Sequence, residues 1–226
     1  MMIVGSPESL VRLRFPLVGN GRLPFDYNET LFAGLSRINR FIHDNTDLRV
    51  SPLVGVTAFG NELLLSDPIS SVFYIQTPIP HIATLLKISG KSITLLDNHF
   101  RIGIPQIESL VPSSILIARM VTVRGKETEE QISEYIQQEL SRRFEARVGH
   151  DYNLHILRRR ILSIHGKRIY GFGVAITDIA SDQLSLNIQA NPPAFSRAKY
   201  GCGFFHPGYF DEQDRESVPA MTEARS

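Results

Sequence analysis

A histidine at the end of a helical pattern is the side chain in this sequence best placed to move protons. From Asn28 to His43, Leu31, Leu35, Ile38 and Ile42 recur at the spacing of one helical face, while Ser36, Arg37, Arg40 and His43 project from the other. Spacings of four and three place Ser36, Arg40 and His43 on one polar face of a continuous helix. The negative end of a helix favours an imidazolium, and histidine titrates near neutral pH, so this ring can serve as acid or base. The plainer reading is a favourable charge at a helix C-terminus, and position alone leaves both open.

The other chemistry-bearing residues are cations. The formal net charge of +1, from 24 Lys plus Arg against 23 Asp plus Glu, conceals their distribution. Residues 1–118 carry 9 basic and 9 acidic side chains, residues 119–210 carry 13 and 9, and residues 211–226 carry 2 and 5. Between Tyr152 and Thr177 there is no acid, yet Arg158, Arg159, Arg160, Lys167 and Arg168 all lie there with His155 and His165. A hairpin of this kind suits phosphate contact, because cations free of local acid pairs can displace counterions from a nucleic-acid backbone. The alternative is a solvated strand with ordinary surface arginines. A second acid-free run contains Arg197, Lys199, Gly201 and Gly203. Its glycines let backbone N–H groups converge on an anion, although a bulge or turn leading into Phe204 is the commoner role for such a pair. Cys202 between them reads as a small packed side chain.

Several classes are disfavoured. One cysteine permits no internal disulfide and no cysteine-based zinc site, which fits a reducing, intracellular compartment. No run approaches the ~18 apolar residues needed to cross a bilayer, and Met1 to Arg12, broken by Gly5, Pro7 and Glu8, does not read as a signal peptide. Gly90-Lys91-Ser92 imitates the end of a phosphate-binding loop, but Leu85 stands where its first glycine belongs. With no H-E-x-x-H, paired C-x-x-C or D-x-D set, neither a metal nor another cofactor is expected. Tyr170-Gly171-Phe172-Gly173-Val174 faintly matches an RNA-stacking strand and fits an ordinary strand better.

The elements that must position these residues fall into two similar series. Alternation predicts strands at Leu10–Leu17, Val54–Phe59, Glu62–Ser66, Val72–Thr77, Ser92–Leu96 and His99–Ile107, with a second helical pattern from Ile82 to Ile88. After Leu110-Val111-Pro112 come a strand at Ile115–Val123 and a helix at Glu127–Arg143, acids in its first turn and arginines in its last. Strands at Leu154–Ile164 and Arg168–Ile179, an amphipathic segment at Ser181–Gln189 and a last strand near Phe204 follow. Each half reads β-α-β-β-α-β, so an α+β fold of two tandem ferredoxin-like (RRM-like) domains is expected, 1–112 and 113–210. The acidic remainder, 211–226, reads as disordered.

These signals combine into a resemblance. Leu23 to Tyr27 (LPFDY) leads into Ala33 to Arg37 (AGLSR) and a histidine at the helix end. The central Leu110-Val111-Pro112 precedes Arg119 to Gly125 (RMVTVRG), Arg158 to Val174 (RRRILSIHGKRIYGFGV) and Arg197 to Pro207 (RAKYGCGFFHP). In order and spacing, over about residues 10 to 207, the chain resembles the sixth Cas protein family, the endoribonucleases that cut precursor CRISPR RNA within its repeats. The resemblance implies metal-independent cleavage in which the upstream 2′-hydroxyl attacks, giving 2′,3′-cyclic phosphate and 5′-hydroxyl ends. It implies His43 as the proton-transfer group, Arg37 and Arg40 as phosphate-neutralising cations and Ser36 as a weaker donor. Relatives also place a tyrosine and a lysine near that histidine; here Tyr27 lies at the helix start, and the segment after His43 offers Arg49 but no lysine. Arg158, Arg159, Arg160, Lys167 and Arg168 would hold the base of a repeat stem-loop, and Arg197 and Lys199 would line the groove with Gly201 and Gly203. The implied partner is CRISPR repeat RNA in a prokaryotic cytoplasm, together with subunits of an effector complex, and neither membrane nor DNA directly. A catalytically inactive crRNA-binding subunit of such a complex is the alternative.

Overall fold

The computed structural model describes residues 7–59, 62–65, 71–193 and 196–209; the acidic segment 211–226 lies outside them. The first half contains β1 (Leu10–Val18), β2 (Gly21–Pro24), α1 (Asn28–Ile38), α2 (Arg40–Asp44), β3 (Arg49–Val50), β4 (Thr57–Phe59), β5 (Glu62–Leu65), β6 (Val72–Pro78), α3 (Ile82–Leu86), β7 (Ser92–Leu95), β8 (Asn98–Ile102) and β9 (Gln106–Ser109). The second contains β10 (Leu116–Val121), α4 (Glu129–Phe144), β11 (Asn153–Ile164), β12 (Lys167–Thr177), α5 (Asp182–Ala190) and β13 (His206–Pro207). Among the described residues no helix is long and apolar enough to cross a membrane.

The second half follows its sequence pattern closely. Its sheet runs β11-β12-β10-β13, the ferredoxin-like strand order, with all pairs antiparallel. Thr128 caps α4 by accepting from the Gln131 N–H at 3.3 Å, and Glu145 closes the helix in the left-handed region at φ 56°. Ile132, Ile136 and Leu140, spaced four apart on α4, bury against Leu116, Ala118, Val174 and Ile176 of the sheet.

The first half is the same plan with additions. Its sheet runs β3-β6-β1, and the free edge of β1 is shared: β9 pairs with Val11–Arg14 and β8 with Leu17–Val18. The expected single strand His99–Ile107 is therefore two strands. Pro105 has no N–H for a ladder, and Gly103 instead donates to the Pro16 carbonyl at 2.8 Å, in a fit so close that a Cβ on Gly103 would lie 3.1 Å from the proline ring. A separate sheet, β2-β5-β4, is added from strands on either side of α1 and α2 in the chain. The short strands β2 and β3 carry too few residues to show alternation and were not expected.

The two halves meet through polar contacts on a face that alternation marks as solvent-facing. Arg12 of β1, a polar residue of that alternation, is only 6% exposed. Its guanidinium donates to Phe205 O at 2.7 Å and Gln76 Oε1 at 3.1 Å, and burial pulls its pKa down to about 10. Gln76 donates to Gln189 O, and Arg49 to Ala190 O. Alternation correctly separates the two faces of β1; the second face is covered by the other half of the chain.

Candidate active site

The expected helix from Asn28 to His43 is two helices. At Asn39 the backbone turns extended, φ −145° and ψ 103°, and the side chain holds the break: Oδ1 accepts from Phe41 N at 3.2 Å while Nδ2 donates to Thr84 O at 2.9 Å. Asparagine competes well with helical hydrogen bonding in this way, so the apolar period continues while the backbone does not. The break removes the register that put Ser36 on one face with Arg40 and His43. Ser36 Oγ is buried without a hydrogen-bond partner among the described residues, and Arg37 is exposed on α1.

His43 occupies the last turn of α2 with its side chain 65% exposed. Its Nδ1 lies 3.0 Å from Asp44 Oδ1, and the other carboxylate oxygen accepts from Arg40 Nε at 3.2 Å. The hydrogen bond to His43, with help from Arg40, holds the Asp44 carboxyl below its usual range. No group among the described residues bonds Nε2, so that nitrogen is open to a reacting partner. The imidazole stacks on Phe32, with ring centroids 6.0 Å apart and planes at 18°.

The second half completes this corner. The 3-10 turn Ala198–Tyr200 is bracketed by left-handed residues, Arg197 at φ 62° and Gly201 at φ 81°. Gly201 is required twice: by that φ, and because a Cβ would lie 2.9 Å from Asn28 Nδ2 and 3.0 Å from Pro52. Asn28 clips the turn by donating to Tyr200 O at 2.7 Å. Lys199 Nζ then donates to the His43 carbonyl and lies 5.8 Å from the Phe32 ring centroid, while the Tyr200 and Phe32 rings meet edge to face with centroids 4.9 Å apart. Desolvation lowers the Lys199 pKa, with Asp44 acting against it. Sequence reasoning set Lys199 in a groove and did not include Asp44 or Tyr200. Asp44 had a local signal, adjacency to His43; Lys199 and Tyr200 had none, since 156 residues separate Lys199 from His43.

Tyr27, the tyrosine nearest in sequence to the helix, is enclosed. Its hydroxyl accepts from Leu53 N at 2.5 Å and Arg119 Nη1 at 3.3 Å, and burial raises its pKa. Gly201 and Gly203 are buried, and Gly203 donates to Met120 O at 2.8 Å, so their backbones close the loop on the body rather than open it. Arg197 points to Thr122 Oγ1 at 3.4 Å. Cys202 is packed, and burial pushes its thiol up to about 12.

The basic hairpin is partnered at its tip. Both Asp26 oxygens accept from Ser163 N, at 3.0 and 2.9 Å, and Glu29 Oε1 accepts from His165 N at 3.0 Å and lies 2.9 Å from His165 Nδ1. The acids absent from the hairpin's own sequence come from the first half. Lys167 and Arg168 remain exposed beside the turn, and Arg159 is exposed with its guanidinium 4.2 Å from the Tyr170 ring centroid. Arg158 and Arg160 are half-buried. Phe172, the other aromatic of that run, belongs to the core. Among the described residues no three His, Cys, Asp or Glu side chains are grouped to hold a metal ion. A depression of about 490 Å3 beside α4, lined by Gln137, Ser141, Arg147 and Tyr152, shares no residue with the His43 corner.

Comparison with known proteins places this arrangement. The family model described as Cas6 Crispr matches residues 11–209. A CRISPR-associated endonuclease Cas6 from Myxococcus xanthus (strain DK1622) is 31% identical over 203 residues, covering 90% of this chain and 84% of that protein. A solved CRISPR-associated protein Cas6 superimposes with a TM-score of 0.57 at 10% identity, covering 88% of this chain and 99% of that one. The structure described as a Cas6-related gene from Pyrococcus furiosus gives 0.54 at 12% identity, covering 87% and 97%. At these identities the solved structures support the tandem ferredoxin-like fold, and the extent of the family match, which takes in both halves and every element of the His43 corner, shows that the chain belongs to the Cas6 family.

Proposed function

We propose that the protein is an endoribonuclease that cuts precursor CRISPR RNA within its repeats without a metal ion. The observation that carries this reading is the His43 corner: an exposed imidazole with Nδ1 engaged by Asp44 and Nε2 open, beside a lysine delivered by the other half. In RNA cleavage of this class the nucleophile is the substrate's own 2′-hydroxyl. Its oxygen bonds to phosphorus as the bond to the 5′-oxygen breaks, giving a 2′,3′-cyclic phosphate and a 5′-hydroxyl; one proton leaves the 2′-oxygen and one reaches the 5′-oxygen. The protein must supply proton transfer, positive charge for the phosphorane and an in-line grip. His43 Nε2 handles a proton, Asp44 fixes the ring, and Lys199 and Arg40 supply charge.

The same reading divides the labour near Pro112: residues 1–112 carry the histidine, and residues 113–210 carry the hairpin and the glycine-rich loop. The separate cores of the two halves support that boundary. The 31% identical M. xanthus relative, a CRISPR-associated endonuclease, supports endonuclease activity. The test is incubation with the cognate repeat RNA in EDTA, with and without a 2′-deoxy substitution at the cut site. Cleavage of the all-ribo substrate alone is expected. Cleavage of the deoxy substrate, or a requirement for added metal, would overturn the mechanism, and binding without cleavage would mark the protein as a silent crRNA-holding subunit.

A further inference from the structure

The root of the basic hairpin differs from its tip. Arg119 leaves β10 on the side facing the first half, where its guanidinium contacts the Tyr27 hydroxyl at 3.3 Å and lies 5.8 Å from the ring centroid. Arg160 of β11 lies opposite Gly171 of β12, and Arg158 and Arg160 are both near enough to Arg119 to feel its charge. On β12 the intervening positions are Gly171 and Gly173. A Cβ on Gly171 would sit 2.4 Å from Val121 O, and one on Gly173 would sit 3.0 Å from Leu157 Cβ, so neither position has room for a side chain between the arginines.

Among the described residues none of the three arginines is ion-paired with a carboxylate. Arg160 Nε is buried with no hydrogen-bond partner. Burial, then Arg158, then Arg119 pull the Arg160 pKa down to about 9, and burial followed by Arg119 lowers Arg158. Like charges gathered without acids, with a buried donor left unpaired, raise the energy of the unliganded protein, and an anion would relieve both conditions. Planar guanidinium forks match the oxygens of a phosphate better than they match a carbonyl or a water.

We propose that Arg119, Arg158 and Arg160 form one recessed site for a single phosphate of an RNA backbone, separate from the exposed grip of Arg159, Lys167 and Arg168. The RNA identity of that phosphate rests on the proposed function; the anion chemistry of the site does not. A phosphate held here would fix the register of the strand between the hairpin and the His43 corner.

Two measurements on the full chain test it. First, inorganic phosphate should raise the melting temperature of the wild type above that in chloride of equal ionic strength. Arg119→Gln/Arg160→Gln should lose that increment and Arg159→Gln should keep it. No stabilisation of the wild type, or an equal one in the double variant, overturns the site whatever the RNA result. Second, the salt dependence of repeat-RNA affinity counts phosphates. If one phosphate is shared, Arg119→Gln, Arg160→Gln and their double variant should each lower the slope of log affinity against log salt by about one. A fall of about two in the double variant means two independent contacts and overturns the shared site; no fall in any variant overturns the contact. If the wild type neither binds nor cuts the RNA while phosphate still stabilises it through these arginines, the RNA reading fails and the anion site stands.

Discussion

The His43 corner and the arginine root of the hairpin both join the two halves of the chain, yet they are built in opposite ways. At the corner the ionisable groups are exposed and mutually satisfied: His43 with Asp44, Asp44 with Arg40, and Lys199 with a backbone carbonyl. At the root the charges are recessed and alike, none has a carboxylate partner among the described residues, and Arg160 Nε has no hydrogen bond. Groups that exchange protons need access and an adjustable partner, whereas groups that hold a fixed anion gain from low dielectric and from being left unsatisfied until it arrives. On the proposed function, the contrast separates chemistry from grip by environment rather than by residue type.

The largest expected effect falls on the corner alone. His43→Ala should slow cleavage on the order of 100-fold or more while changing RNA affinity little, measured by single-turnover cleavage and filter binding. An undiminished rate would remove His43 from the mechanism. Replacing Arg158, Arg159 and Arg160 together by alanine should do the reverse, weakening binding by roughly 10- to 100-fold at 0.15 M salt and flattening its salt dependence. Equal losses of affinity in the two variants would erase the division. Asp26→Asn tests whether the hairpin tip is structural: it weakens a charge-assisted acceptor for Ser163 N and should cost about 1 kcal/mol in chemical denaturation, with affinity nearly unchanged. The smallest effect concerns His206, whose pKa is lowered by burial, with Arg12 contributing in the same direction. The unfolded chain takes up this proton first, so the stabilisation is complete above the unfolded pKa of about 6.5 and declines as pH falls below it. His206→Gln should flatten the melting-temperature profile between about pH 7 and pH 5.

Much of this was legible in the residues. The second half is readable because Ile132, Ile136 and Leu140 keep a helical period and the two long strands keep theirs, with nothing inserted between them. The first half was harder. The periodicity of α1 runs through into α2, and only the capping chemistry of Asn39 marks the break. Arg12 and Arg14 alternate like solvent-facing residues, because alternation reports that a face is polar and not what covers it. The hairpin's charge was read from its own sequence, which contains no acid; Asp26 and Glu29 reach it from residues more than 130 positions away. His43 could be nominated from its position, but Lys199 could not be placed beside it, since only the docked halves bring the two together.

The contact between Lys199 and the His43 carbonyl also orders events in time. A chain made from its N-terminus presents the histidine, its stacking partner Phe32 and its carboxylate neighbour Asp44 long before Lys199 is synthesised. During that interval the first half can fold around its own core without Lys199 beside the histidine. The corner is assembled only when the glycine-rich turn, 156 residues beyond His43, has been made and docks, so a half-folded copy would hold the histidine without the lysine beside it.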